Sequence, residues 1–247
     1  MVSRRICGCS STDSRLTTLA LQSLRPSSAV IRYYVDVYVS RRRVVSIGLS
    51  LLAASLVGGK ASAADLPRIV CFGDSITAGY GLEPGNAYSN FLQKKLDVEG
   101  YRYKVVNQGT SGATTKDAVA SLPVIVQLHP EVVIVEFGGN DGLRGLPPDQ
   151  TRRNLDQVLT TLEAAHIKVL LAGITLPPNY GADYIHQFEQ VFRDMAAKHH
   201  PAFVPMIYKD LVNIPGTIQQ DGIHPTAKGS QILASTLFPA LKPLLKR

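Results

Sequence analysis

Val132-Val133-Ile134-Val135 and Val169-Leu170-Leu171-Ala172 are short, unbroken runs of apolar, mostly β-favouring residues. A strand with one face in water alternates apolar and polar residues. A strand covered by helices on both faces reads as a continuous hydrophobic run. Both runs are therefore expected as central strands of a parallel sheet, within strands spanning 132–137 and 168–174. Three further short strands are expected at 68–72, 104–107 and 202–207. Between them lie amphipathic stretches at 87–99, 115–128, 149–166, 184–200 and 226–241; in the third, Leu155, Val158, Leu159 and Leu162 recur at helical spacing. Regular strand–helix alternation predicts an α/β fold, a three-layer α/β/α sandwich around a five-stranded parallel sheet.

Residues 1–64 differ in kind from this pattern. Arg41-Arg42-Arg43, the uncharged apolar stretch 44–57 and Ala61-Ser62-Ala63 have the order of a secretory signal: basic start, hydrophobic centre, small-residue cleavage site. The stretch is shorter than the roughly 20 residues of a membrane span. The expectation is a signal peptide at 41–64, cleaved after Ala63 or Ala64, and a periplasmic or secreted product without a stable membrane anchor. Residues 1–40 are expected to be an overlong gene model or a disordered extension. The 26 Lys and Arg and 19 Asp and Glu divide as 9 and 2 in residues 1–64 and as 17 and 17 in 65–247. The net charge of +7 thus belongs to the leader, and the balanced remainder offers no basic surface for nucleic acid. Of Cys7, Cys9 and Cys71, only Cys71 lies in the mature segment, so no intrachain disulfide is expected there. The 183 residues 65–247 suffice for one domain. No heptad seam is visible, and a monomer is expected.

In open parallel sheets, ligands bind beyond the carboxyl ends of the strands. Ser75 follows the first strand in Gly73-Asp74-Ser75-Ile76, Gly112 follows the second in Gly109-Thr110-Ser111-Gly112, and Asn140 follows the third in Gly138-Gly139-Asn140-Asp141. Asp221 and His224 lie in Asp221-Gly222-Ile223-His224-Pro225, before the last helix. An imidazole can remove a serine proton, and a carboxylate three residues away on a tight loop can fix its tautomer, so these residue types suit nucleophilic acyl chemistry. Asp74 is expected to cap the turn. Cys71 is expected to be buried rather than nucleophilic. His129, His166, His186, His199 and His200 lack metal-ligand spacing, and neither a metal nor an organic cofactor is implied.

The four blocks F-G-D-S-I-T-A-G-Y-G, N-Q-G-T-S-G-A-T, E-F-G-G-N-D-G-L-R-G and D-G-I-H-P, in that order, resemble those of the SGNH or GDSL hydrolases. The similarity extends over nearly all of 68–247, and is greatest to the bacterial branch of thioesterase I/protease I/lysophospholipase L1 and related arylesterases. The resemblance implies a flavodoxin-like fold and a serine esterase acting on small-molecule acyl esters or thioesters. It implies Ser75 as nucleophile, His224 as base, Asp221 as its orienting carboxylate, and the Ser75 and Gly112 N–H groups with the Asn140 amide as oxyanion donors. It also implies contact of Leu176 and the 142–147 loop with the acyl chain. Singly, each motif reads more often as a turn or cap than as chemistry; their convergence on one sheet edge favours chemistry. A carbohydrate O-acetylesterase using the same triad and a non-catalytic binding module are the alternatives.

Overall fold

A computed structural model describes residues 66–211 and 213–247, so the expected extension and signal peptide lie outside the described residues. Five strands, β1 (Arg68–Gly73), β2 (Lys104–Gly109), β3 (Val132–Glu136), β4 (Lys168–Ala172) and β5 (Ala202–Val204), form one parallel sheet in the order β2-β1-β3-β4-β5. Every residue of β3 is buried, as are Val169, Leu170, Leu171 and Ala172 of β4, which is why both read as unbroken hydrophobic runs.

Seven α-helices accompany the sheet among the described residues: α1 (Ser75–Ala78), α2 (Tyr88–Val98), α3 (Thr115–Gln127), α4 (Gly139–Leu143), α5 (Pro148–Ala164), α6 (Ala182–His199) and α7 (Ala227–Leu241). The helices cover both faces of the sheet, with α2 against α7 and α5 between α3 and α6. Leu155, Val158, Leu159 and Leu162, the predicted stripe of α5, are all fully buried. Thr114 starts α3 with a capping box: its side chain accepts from the Asp117 N–H while the Asp117 carboxylate accepts from the Thr114 N–H at 2.8 Å. None of the described helices is long and apolar enough to cross a membrane.

Two kinds of boundary differ from the sequence expectation. β3, β4 and β5 end before Phe137, Ile174 and Ile207, yet these three residues are buried, 2%, 5% and 1% exposed. Hydrophobicity therefore marks burial beyond the last sheet hydrogen bond. The other difference is α1 and α4, which read as plain loops because one helical turn is too short to show a 3.6-residue period.

The register places Gly73 of β1 opposite both Gly109 of β2 and Glu136 of β3. The carboxyl ends of these strands therefore lie level, and the segments carrying Ser75, Gly112 and Asn140 leave the sheet side by side.

Candidate active site

Ser75 is the first residue of α1. Asp74 caps the helix, its side chain accepting from the Ile76 N–H at 3.0 Å, and the turn closes at Gly79 in the left-handed region. The cap assigns Asp74 the turn-holding role read from the sequence. Asp74 has a second partner, because its Oδ2 accepts from Asn140 Nδ2 at 3.1 Å.

The loop with Asp221 and His224 is closed by an antiparallel bridge between Ile218 and Pro225, with Gln219 N–H donating to the His224 carbonyl at 2.8 Å. Asp221 Oδ1 accepts from the N–H groups of Ile223 and His224 at 2.9 and 3.0 Å, and its Oδ2 lies 2.6 Å from His224 Nδ1. Burial pushes the Asp221 carboxyl up, but the two N–H groups and the ring pull it further down, leaving it below the ordinary carboxylate value. On the far side of the ring, His224 Nε2 lies 2.8 Å from Ser75 Oγ. Tyr80 flanks the imidazole, with ring centroids 4.7 Å apart.

Gly112 has φ +81, a conformation strained for any residue with a Cβ, and this gives a physical reason for glycine there. Two donors on α4 and just past it fasten its loop: Asn140 Nδ2 to the Ala113 carbonyl at 2.9 Å and Arg144 Nη2 to the Gly112 carbonyl at 2.8 Å. The left-handed residue before α4 is Gly138, at φ 118, so Asn140 sits inside the helix and is not the turn former.

Ser75, Gly112, Asn140 and His224 line one cavity of about 910 Å³. Its walls are largely apolar and include Leu143, Ile174, Leu176, Leu211, Ile214 and Ile223. Of the expected 142–147 loop, Leu143 lines the cavity; Leu146 instead turns its carbonyl to the Tyr184 hydroxyl at 2.8 Å. Sequence reasoning missed the wall made by Tyr208, Leu211 and residues 213–218, since this part of the sequence has no periodicity; its signal was a cluster of apolar residues, Leu211, Ile214 and Ile218, between turn formers. Among the discounted histidines, His199 is held between α5 and α6 by Asp156 at 2.6 Å and Glu163 at 3.0 Å, and does not line the cavity.

Comparison with known proteins agrees with this architecture. The model of the GDSL-like lipase/acylhydrolase family matches residues 71–232. Esterase TesA of Pseudomonas aeruginosa is 42% identical over 178 residues, covering 72% of this chain and 89% of that protein. The thioesterase 1/protease 1/lysophospholipase L1 of Escherichia coli is 35% identical over 198 residues, covering 80% and 93%. A crystal structure of TesA superposes with a TM-score of 0.70, covering 72% of this chain and 99% of that one. The fold is that of the SGNH hydrolases, and the activity is ester hydrolysis. The chain belongs to the GDSL-like lipase/acylhydrolase family.

Asp74 bears on stability. It is 2% exposed, and burial pushes its carboxyl from 3.8 up to about 6, against the pull of the Ile76 N–H, His224 and Asn140. The folded state thus holds a proton that the unfolded chain has lost between about pH 4 and pH 6. Stability from this group falls as pH rises through that window. Asp74→Asn keeps a capping oxygen and removes the buried charge. Its melting temperature relative to wild type should be higher at pH 8 than at pH 4, whatever constant loss the altered bond to Asn140 brings. A pH-independent difference in thermal melts would contradict this assignment.

Proposed function

We propose that the chain hydrolyses carboxylic esters and thioesters of acyl chains through an acyl-enzyme on Ser75. The observation that carries this reading is the line Asp221–His224–Ser75, at 2.6 and 2.8 Å, opening into an apolar cavity. Ser75 Oγ attacks the acyl carbonyl carbon while its proton passes to His224 Nε2. Asp221 holds Nδ1–H, fixes the tautomer and stabilises the imidazolium. Negative charge gathers on the former carbonyl oxygen, to which the Ser75 and Gly112 N–H groups and the Asn140 amide donate. In the free site the amide donates to Asp74 and Ala113, and the longer 3.1 Å bond to Asp74 is the one to exchange or share. Collapse expels the alcohol or thiol, which takes the proton from His224. Water then attacks the acyl-enzyme and gives His224 a proton, which passes to Ser75 Oγ as the acid leaves.

The acyl chain lies against Leu176 and the neighbouring apolar walls. These walls offer a sugar few hydrogen-bonding partners, and this argues against the O-acetylesterase alternative. The matched relatives include an esterase, a thioesterase and lysophospholipase, and an arylesterase from Vibrio mimicus. With 41–64 as an export signal the product is periplasmic or secreted, where lysophospholipids or exogenous esters are commoner than acyl-CoA. It acts as a monomer, without nucleic acid or cofactor. The test is hydrolysis by the full chain of p-nitrophenyl esters with acyl groups of increasing length. A rate optimum beyond acetate is expected; turnover confined to acetate would transfer the assignment to O-acetyl substrates.

A further inference from the structure

Glu136 ends β3, is 1% exposed, and has no part in the reaction steps above. Its Oε2 accepts from the Thr77 hydroxyl at 2.7 Å, while its Oε1 is buried without a hydrogen-bond partner among the described residues. An unpartnered buried oxygen is destabilising, so stability alone is a poor account of a carboxyl group at this position. Burial pushes the group well above the ordinary carboxylate range, and the neighbouring Asp74 charge pushes it further; the hydroxyl of Thr77 and the N–H groups of Asp74 and Thr77 oppose the shift without reversing it.

The group lies directly under the nucleophile turn. Thr77 is the third residue of α1, and its hydroxyl also lies 3.1 Å from that of Tyr88. Its carbonyl accepts from Asn107 Nδ2 at 2.7 Å. Space is kept for this contact: a Cβ on Gly73 would lie 2.6 Å from Glu136 Oε2 and would collide with the Thr77 hydroxyl. A single helical turn has little stability of its own. With the Asp74 cap, the attachments of Thr77 are therefore what ties α1, and with it Ser75, to the rest of the fold.

We propose that Glu136 is a positioning residue for the nucleophile: its buried carboxyl grips Thr77 and so fixes the one-turn helix that presents Ser75 to His224. The inference rests on the reading of Ser75 as nucleophile. It predicts a defect in the chemical step, because an error of about 1 Å in the reacting geometry can cost roughly 10²-fold while binding is unaffected. The test uses Glu136→Leu, Glu136→Gln and Thr77→Val in the full chain, with kcat and KM for a p-nitrophenyl ester beside the rate at which an alkylphosphonate labels Ser75.

Glu136→Leu and Thr77→Val should lower kcat and the labelling rate together, by up to roughly 10²-fold for Glu136→Leu, with KM little changed. Glu136→Gln, whose amide oxygen still accepts from Thr77, should recover most of both. Wild-type kcat and labelling in folded Glu136→Leu, or a lowered melting temperature without a kinetic change, would overturn the proposal. So would Glu136→Gln as impaired as Glu136→Leu. Where Glu136→Leu does not fold, Thr77→Val decides, and wild-type rates in that variant overturn the proposal. Wild-type chain labelled at a residue other than Ser75 would defeat the nucleophile reading itself, and this inference with it.

Discussion

Ser75→Ala is expected to lower kcat for ester hydrolysis by about 10⁶, since the members of a cooperating triad act as a unit and the loss of its nucleophile removes the covalent route entirely. The 2.8 Å contact to His224 Nε2 makes the expectation specific, for the hydroxyl has a base in place to take its proton. The substitution removes one oxygen from a half-buried position, so folding should be preserved and KM should change little. Steady-state kinetics with a chromogenic ester, together with a thermal melt, check both points. A folded variant retaining a tenth of wild-type kcat would mean that the acyl group is transferred elsewhere or attacked directly by water.

Asn140→Ala should have the second largest effect, a fall of about 10²–10³ in kcat, the usual cost of losing one oxyanion donor. The loss should appear in kcat more than in KM, since the negative charge develops only in the transition state. Esters and thioesters should suffer alike, because both pass through an oxyanion at the same place. Asn140 also bonds Ala113 and Asp74, so part of the loss comes from loosening the Gly112 loop. An effect confined to KM would place the amide in ground-state binding and remove it from the oxyanion site.

The sheet was legible where physics constrains sequence most. Val132–Val135 and Val169–Ala172 are covered on both faces, and such burial leaves a continuous apolar run. Strand ends were less legible because Phe137 and Ile174 stay buried after the sheet hydrogen bonds stop. In the site, the Asp221–His224 pairing could be read from a spacing of three residues on a tight loop. The meeting of Ser75 with His224, 149 positions away, followed from both lying at one sheet edge. Gly112 and Asn140 were named through family resemblance; their own chemistry fits a turn as well.

Contacts that depend on how the chain travels stayed hidden. Tyr80 beside His224, Arg144 on the Gly112 carbonyl, and the cavity wall of Tyr208, Leu211 and residues 213–218 belong to this group. Glu136 fell inside the expected strand 132–137 without being singled out, and nothing local to Val-Ile-Val-Glu-Phe announces a buried acid beneath the nucleophile. Its significance arises from the register that sets it opposite Gly73.

The most direct test of Ser75 as the acylated residue is peptide mass spectrometry of the full chain after inactivation by a p-nitrophenyl alkylphosphonate, with His224→Ala treated in parallel. The phosphonyl group should be found on Ser75 in step with loss of esterase activity, and labelling of His224→Ala should be slower by orders of magnitude. Inactivation with the group on another residue, or full labelling of His224→Ala at the wild-type rate, would contradict the account.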